Sequence, residues 1–443
     1  MRTRTLITLA VGVIACGGLV PFAGRARPGC PPSYAAASEA GFSSERLASL
    51  DVLIEADVAA GFPGAVLLIM RHGSIVKEQA YGYRRKFANG GELLPEDKFE
   101  PMQVETLFDL ASNSKMYATN YAVMKLVHEG RLDIDAPIQQ YIPQYAGGVR
   151  DSITPRDILT HSAGYAPEVM FFRPDNELGE AFYSQERERT EQLILTKVPF
   201  EYERGTRSRY SDTDYMLAGI LVERITGRRL DEYVEEEIYA ALGLSKTLYN
   251  PLQKGFVPSQ VAATETQGNT RDGRLSFPNV RTHVLQGEVH DEKTFYTMGG
   301  VAGHAGLFST ARELGMLANL MLSEGRCGDR QFFDQGVIDH FVAASEENPA
   351  FGIGWQRAAG ERSHWTFGDH ASPKAFGHVG WTGTLTVIDP QYDLVIVLLT
   401  NQKHSPVQEG RRRLYFEGDR FPTSRFGQTV TRIYEALEDV QAD

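Results

Sequence analysis

The chain has 443 residues, of which 42% are hydrophobic, and it carries a formal net charge of -12. Such a length can bury two hydrophobic cores, or one large core with an inserted domain. No stretch concentrates enough positive charge to follow a nucleic acid backbone, so nucleic acid is excluded as a partner. The chain has only three cysteines, so a disulfide framework is excluded as well, and pairing of Cys30 with Cys327 depends on the fold.

The N-terminus predicts an exported protein. Residues 1–4 contain two arginines, and residues 5–15 form an apolar stretch that is short for a membrane span. Cys16 follows Val-Ile-Ala as in a bacterial lipobox, which would make it a lipidated residue. Two alternatives stay open, namely cleavage near residues 21–25 or retention of residues 6–23 as an anchor. Each of the three predicts a location in the bacterial periplasm, with membrane contact only through this segment.

Beyond this segment, hydrophobic periodicity predicts strands near both ends of the chain and helices between them. In chain order, the predicted elements are a helix at 45–60, strands at 65–70 and 75–82, helices that begin near 112, 154, 214 and 230, a helix at 311–322, a hairpin at 384–400 and a last helix at 426–437. Residues 250–297 show little periodicity, and a loop of that length in a compact protein is often functional.

This order predicts an α/β (α+β) fold, in which one antiparallel sheet is built from both chain ends and covered by the terminal helices. We assign residues 1–23 to a signal peptide or membrane anchor and residues 24–40 to a tether. Residues 41–110 and 298–440 are predicted to form the sheet domain. Residues 111–297 are predicted to form an inserted, mostly helical domain.

The most informative motif is Ser112-Asn-Ser-Lys115, at the start of the predicted helix. Side chains three positions apart on a helix are neighbours. A serine hydroxyl is a weak nucleophile at neutral pH, and an uncharged amine beside it can take its proton. The helix is apolar nearly all round, and burial lowers the pKa of a lysine toward neutrality. The motif therefore predicts a Ser112 nucleophile activated by an uncharged Lys115.

A second copy of the same spacing, Ser74-Ile-Val-Lys77, lies in a different context. It follows an apolar run and the turn Arg-His-Gly, which together predict a hairpin. On a strand, positions i and i+3 point to opposite faces of the sheet. Ser74 is therefore predicted to have no catalytic role.

Two more stretches supply candidate partners. The triplet Tyr210-Ser-Asp212 precedes a predicted helix, and His378-Val-Gly380-Trp381 leads into the C-terminal hairpin. Glycine at 380 allows a strand backbone to approach a ligand closely. From the residues alone, a position in a core is the favoured interpretation of Tyr210, and Asp212 can equally cap the helix that follows.

The order Ser-x-x-Lys, Tyr-x-Asp and His-Val-Gly resembles class C β-lactamases and the penicillin-binding proteins and esterases related to them. The resemblance spans roughly residues 45–435. The other stretches that carry it are 132–137, 158–164, 215–219, 242–247, 303–309 and 376–383. The segments 210–215 and 289–293 are similar to those of a penicillin-binding-protein subgroup assigned D-alanyl-D-alanine carboxypeptidase activity.

The resemblance implies a β-lactamase/transpeptidase-like fold and a serine hydrolase that works through an acyl-enzyme. It implies that Ser112 attacks a carbonyl, that Lys115 accepts the proton and that Tyr210 relays a proton to the leaving group. The backbone N–H groups of Ser112 and Trp381 would form the oxyanion hole. The implied activity is D-alanyl-D-alanine carboxypeptidase on peptidoglycan stem peptides, with a small peptide or a β-lactam-like compound as the substrate.

Three departures from the family pattern bear on the substrate. Asp212 stands where the family often has Asn. A carboxylate ~4 Å from Lys115 would keep the Lys115 amine charged, unless the carboxylate is protonated or turned away. His378 and Val379 replace Lys and Thr, which weakens recognition of a free carboxylate. His378 is still expected to be partly cationic, because an unperturbed histidine has a pKa of ~6.5. These changes predict slow turnover of carboxypeptidase or β-lactamase substrates.

Two alternative functions stay open from the sequence. One is an esterase or weak β-lactamase of the same family. The other is a non-catalytic protein that binds cell-wall peptides, with Asp212 silencing Lys115. His290, Asp291 and His304 match no zinc motif, so neither a metal nor another cofactor is predicted.

Overall fold

The computed structural model describes residues 30–345, 348–360, 363–411 and 414–438. The predictions of a signal peptide, an anchor and a lipidated Cys16 lie outside these residues. Within the described ranges, no helix is both long enough and apolar enough to cross a membrane.

The strands are β1 (Gly64–Arg71), β2 (Ser74–Arg85), β3 (Glu100–Pro101), β4 (Phe108–Asp109), β5 (Leu248–Tyr249), β6 (Ala263–Glu265), β7 (Leu285–Gln286), β8 (Leu307–Ser309), β9 (Arg326–Cys327), β10 (Arg330–Gln331), β11 (Gln356–Arg357), β12 (Phe376–Gly380), β13 (Thr384–Asp389), β14 (Leu394–Thr400), β15 (Val407–Glu409) and β16 (Leu414–Phe416). Among the described residues, seven of them form one antiparallel sheet in the order β11-β12-β13-β14-β1-β2-β3. Strands from both ends of the chain are thus neighbours, as the sequence predicted.

The helices are α1 (Ser44–Ala59), α2 (Tyr121–His128), α3 (Pro155–Leu159), α4 (Arg187–Thr196), α5 (Asp212–Thr226), α6 (Leu230–Val234), α7 (Glu292–Met298), α8 (Ala311–Leu320), α9 (Gln335–Val342), α10 (His364–Phe367) and α11 (Phe426–Glu435). Helices α1, α10 and α11 cover one face of the sheet. Helix α8 covers the other face and joins it to the helices in the middle of the chain.

Strand β1 shows why the sheet needs two covered faces, because all eight of its residues are buried. Val66 and Leu68 belong to the core shared with the middle helices, whereas Leu67 and Ile69 belong to the core under α1 and α11. Side chains alternate between the faces of a strand, so one apolar run serves both cores. Leu67 pairs with Leu398 of β14, which fixes the register between the two chain ends.

The predicted tether, residues 24–40, stays a prediction, and the structure describes its residues 30–40. Cys30 forms a disulfide with Cys327, with 5.6 Å between their Cα atoms. Tyr34 pairs with Ile75 at the start of β2. This stretch therefore lies against the body, held by a covalent bond that composition alone does not reveal. The predicted boundaries between the sheet and helical domains stay a prediction.

A buried histidine beside the sheet predicts acid sensitivity. The Nε2 atom of His404 accepts the backbone N–H groups of Lys86 and Phe87, both at 3.1 Å. Burial, with Arg85 and Lys86 nearby, lowers the pKa of His404 to about 3. In the unfolded chain, this histidine has its ordinary pKa of ~6.5 and binds a proton below that pH. The free energy of unfolding therefore falls as the pH drops from ~6.5 toward 3.

We expect His404→Gln, whose amide oxygen can accept the same N–H groups, to remove about 1.4 kcal/mol per pH unit from the slope of the unfolding free energy between pH 6 and 4. Urea unfolding at several pH values measures this slope. The exposed His370→Gln serves as the control and should leave it unchanged. An unaltered slope in His404→Gln would show that His404 does not resist protonation in the folded state.

Candidate active site

Ser112 lies in a tight turn between β4 and the first helix of the middle segment. Ala111, directly before it, has a φ of 45°, in the left-handed region that a residue with a Cβ rarely adopts. The Oδ1 atom of Asp109 accepts the N–H of Ala111 at 2.8 Å and holds the turn. Strain of this kind costs about 1 to 3 kcal/mol and is often found at active sites. The turn places Ser112 at the entrance of the helix.

Lys115 begins a wide, π-helical turn, Lys115–Asn120, that continues into α2. Its backbone N–H donates to the carbonyl of Ser112 at 3.0 Å. This local bond brings the two side chains together, with 3.1 Å between Lys115 Nζ and Ser112 Oγ. Single π-helical turns inside helices occur frequently at functional sites. The structure thus joins the pair that the sequence singled out.

The Lys115 amine contacts three acceptors. They are Ser112 Oγ at 3.1 Å, Asp212 Oδ1 at 2.8 Å and the carbonyl of His304 at 3.1 Å. An ammonium has three N–H donors, which this arrangement uses completely. Burial lowers the pKa of Lys115, but Asp212 and Tyr210 together more than offset it, so the pKa is raised. The prediction of an uncharged amine is therefore wrong for the resting site.

Asp212 is the first residue of α5, and Ser211 takes the N-cap position before it. The Asp212 carboxylate does not cap the helix, since its two oxygens contact Lys115 Nζ at 2.8 Å and Lys293 Nζ at 3.2 Å. Burial would raise the pKa of Asp212, but these two ammonium groups lower it far below its usual value. Of the two alternatives for Asp212, the structure favours a role in the site.

Tyr210 covers the amine from the other side. The centre of its ring lies 4.7 Å from Lys115 Nζ. The ring of His161 packs behind it, with 4.6 Å between ring centres. Burial raises the pKa of Tyr210, although Lys115 and Ser112 partly oppose the increase. The phenol is therefore uncharged at neutral pH and can donate or accept a proton within hydrogen-bond reach.

His378, on β12, differs from its predicted state. Its ring N–H at Nδ1 donates to the carbonyl of Val379 at 2.8 Å. Burial, assisted by the charge of Lys115, lowers the pKa of His378 to about 3. The expectation of a partly cationic His378 is therefore wrong, and the site has a neutral imidazole where the family has a lysine.

The end of β12 lies against the Ser112 turn. A Cβ on Gly380 would come within 2.3 Å of the carbonyl of Leu110, so only glycine fits there. The hydroxyl of Thr382 donates to the Asp109 carbonyl at 2.7 Å. In the described part of the chain, no turn, cap or side-chain acceptor takes the N–H of Ser112 or Trp381. Both remain available for an oxyanion, and that role stays a prediction.

A cavity of about 420 Å³ opens beside these residues and contains Ser112, Tyr210 and Asp212 in its wall. Trp381, 44% exposed, lies at its rim with its ring stacked on His290 at 4.4 Å between ring centres. A larger groove of about 1320 Å³ lies between α1, α10 and α11 and contains none of the predicted site residues. The smaller cavity is therefore the candidate substrate site.

Sequence reasoning missed Lys293, a charged side chain that contacts Asp212 in this site. Lys293 Nζ lies 3.2 Å from Asp212 and 3.3 Å from Asp291. The donor atoms of Asp212, Asp291 and His304 lie within 4.8 Å of one another, close enough to share a cation. Lys293 places its ammonium against both carboxylates. The only signal was its position in the family-like segment 289–293, and the prediction that no metal binds stays a prediction.

Comparison with known proteins places the sequence in a family. A family model described as Beta-lactamase matches residues 50–419. The chain is 47% identical to the "N-acetylmuramyl-L-alanine amidase" of Bacillus subtilis (strain 168), covering 99% of this chain and 100% of that protein. It is 44% identical to the "Putative D-alanyl-D-alanine carboxypeptidase" of Escherichia coli (strain K12), over 90% of this chain and 92% of that protein.

The fold is also shared with a solved structure. A penicillin-binding protein homologue from Caulobacter crescentus superposes with a TM-score of 0.62 at 21% identity, covering 90% of this chain and 99% of that chain. At this identity, the likeness concerns the fold alone. The shared fold, the family match and the Ser112–Lys115 pair together lead to one conclusion. The chain belongs to the beta-lactamase family and is a serine hydrolase of the β-lactamase and penicillin-binding-protein type.

Proposed function

We propose that this enzyme is an amidase that cleaves an internal amide of peptidoglycan fragments, namely the bond between the muramyl lactyl carbonyl and L-alanine. Two lines of support lead to it. The relative from Bacillus subtilis, similar over the full length, is named for this bond. The charges of the cavity, described next, favour a substrate without a free carboxylate at the reacting end.

The observation that carries the proposal is that the cations around the cavity are already paired. Lys115 contacts Asp212, and Lys293 contacts Asp212 and Asp291. Arg271 is held by Glu265 and Glu292, and Arg173 by Asp175. With His378 neutral, each Lys and Arg of the described cavity wall already contacts a carboxylate, so a terminal carboxylate of the substrate would have to compete with that contact. Burying such a carboxylate without a partner costs several kcal/mol, whereas an internal amide carries no charge.

D-Alanyl-D-alanine carboxypeptidase activity is the second candidate. The Escherichia coli relative supports it by name, at 44% identity. The reaction would use the same Ser112 chemistry, but it requires the site to accept a C-terminal carboxylate beside the reacting bond. The pairing of the cavity cations predicts that this substrate reacts more slowly. Aryl esters, which also carry no carboxylate, should react readily.

The geometry supports the following sequence of steps. The Lys115 ammonium first gives one proton to solvent water, and its free amine then takes the Ser112 proton as Oγ attacks the amide carbonyl. The N–H groups of Ser112 and Trp381 stabilise the negative oxygen of the intermediate. As the C–N bond breaks, Lys115 returns the proton through the Tyr210 hydroxyl to the leaving amine. Water then cleaves the Ser112 ester, so amide plus water gives a carboxylic acid and an amine.

The test compares three substrates with the same enzyme, namely an N-acetylmuramyl-L-alanyl peptide, a peptide ending in D-Ala-D-Ala and an aryl ester. We expect release of the L-alanyl peptide at a kcat/KM at least about 100-fold above that for D-alanine release, since one unpaired buried charge costs several kcal/mol. Ser112→Ala should lose all three activities, and Ser74→Ala should keep them. Faster release of D-alanine would overturn the amidase proposal in favour of the second candidate.

We also propose that the enzyme works outside the cytoplasm, tethered by its N-terminal segment. Besides the apolar stretch at residues 5–15, the Cys30–Cys327 disulfide supports this location, because such bonds persist mainly in oxidising compartments. Fractionation of a bacterium that expresses the full chain tests it. Recovery of the enzyme in the cytoplasmic fraction would contradict the proposal.

A further inference from the structure

Five residues, one of which is Lys115 with its catalytic amine, form a closed ring of contacts. Lys115 Nζ contacts Asp212 Oδ1 at 2.8 Å, and Asp212 Oδ2 contacts Lys293 Nζ at 3.2 Å. Lys293 Nζ contacts Asp291 Oδ2 at 3.3 Å, and Asp291 Oδ1 accepts from His304 Nε2 at 2.8 Å. The carbonyl of His304 closes the ring by accepting from Lys115 Nζ at 3.1 Å. Each carboxylate thus uses one oxygen for each neighbour.

The ring connects elements that are distant in the chain. Asp212 begins α5, Asp291 is the N-cap of α7, and His304 lies in the loop before β8. Lys293 is the member that spans the gap between the two carboxylates, and its side chain is only 5% exposed. Two buried carboxylates this close would repel each other without a cation between them. Among the described residues, Lys293 is the second cation in contact with the Asp212 carboxylate, beside Lys115.

We propose that Lys293 is a positioning residue for the reaction, which holds the Asp212 carboxylate in place and through it the Lys115 amine against the Ser112 hydroxyl. Lys293 partly neutralises the negative charge of Asp212. The Asp212 carboxylate therefore binds Lys115 less strongly than it would without Lys293. Lys115 then releases a proton more readily, as the first step of the reaction requires. This inference rests on the proposed function only in its use of the Ser112–Lys115 pair.

The charged and titratable groups around both amines enter the expected pH dependence. Lys293 faces Asp212, Asp291, Glu168 and Glu292, and Lys115 faces Asp212, Tyr210, His161 and His378. Removing the Lys293 charge leaves more of the Asp212 charge to stabilise the Lys115 ammonium. The proton affinity of Lys115 should therefore rise, and the pH at which activity appears should rise with it.

The experiment uses the full enzyme and an aryl ester, so that the result does not depend on which amide is the natural substrate. We expect Lys293→Met to lower kcat by about 10- to 100-fold with KM within about threefold, because a small misplacement of a catalytic group can cost ~10²-fold. Lys293→Arg, which keeps the charge, should recover much of the loss. A Lys293→Met enzyme with unchanged kcat, or one that loses affinity alone, would overturn the proposal.

A pH profile separates positioning from a merely structural role. Lys293→Met should move the rising limb of the pH–activity profile upward by about one pH unit in the otherwise wild-type enzyme, and by less in the Asp212→Asn background, which lacks the charge that Lys293 shares. A limb that does not move would overturn the charge part of the proposal. Thermal melting shows whether each variant is folded. If ester hydrolysis responds as expected but the muramyl amide is not cleaved, the amidase proposal fails and the role of Lys293 stands.

Discussion

Replacing Lys115 with methionine is expected to lower kcat/KM for an aryl ester by at least about a thousandfold, since a general base typically contributes 10² to 10⁴. Methionine keeps the length and the apolar stem of lysine but cannot accept the Ser112 proton. Asp212 would not be left unpaired, because Lys293 Nζ still lies 3.2 Å from its second oxygen. The loss should therefore appear in kcat, and the protein should remain folded.

The chain provides a matched control for this prediction. Lys77 belongs to the second Ser-x-x-Lys stretch, where β2 begins at Ser74 and the Lys77 amine contacts Asp51 at 2.7 Å. Lys77→Met should leave ester hydrolysis within about twofold of the wild type, since neither Lys77 nor Asp51 lies in the wall of the cavity beside Ser112. Rates are measured by steady-state kinetics, with circular dichroism to show that both variants are folded. A Lys115→Met enzyme with more than a tenth of the wild-type rate would exclude Lys115 as the proton acceptor.

The difference between the two Ser-x-x-Lys stretches shows what can be predicted from sequence. Ser74 follows an apolar run and a glycine turn, and the spacing of a strand separates it from Lys77. Ser112 precedes an apolar helix, and the spacing of a helix brings Lys115 to it. Both outcomes depend on local periodicity, which the chain carries in each short segment. The two-sided burial of β1 could likewise be predicted from its continuous apolar run.

The charge states of the site could not be predicted in the same way. Lys115 is charged because Asp212, 97 positions away, lies 2.8 Å from its amine. His378 is uncharged because it is buried and near the Lys115 ammonium. Lys293 joins the site only through the path of the long segment before α7. Each of these facts depends on contacts between distant parts of the chain, and no local pattern carries them.

Asp212 is where this long-range effect should be largest. We expect Asp212→Asn to shift the rising limb of the pH–activity profile downward by about one to three pH units, because the variant removes the carboxylate that raises the pKa of Lys115. With that charge gone, burial and the nearby Lys293 both favour the uncharged amine. A folded-state pKa that falls makes the reactive form more abundant at neutral pH.

The net effect at pH 7 should be a gain. A lower pKa also makes Lys115 a weaker base, which offsets part of the increase, so we expect about a tenfold higher kcat/KM for the aryl ester. Profiles of the wild type and Asp212→Asn between pH 5 and 10.5 measure both effects, with Asp291→Asn as a comparison that leaves the Lys115–Asp212 contact in place. A loss of activity at every pH without a shift of the limb would mean that Asp212 itself takes part in the proton transfer. In that case, the resting ion pair would be the working base of the enzyme.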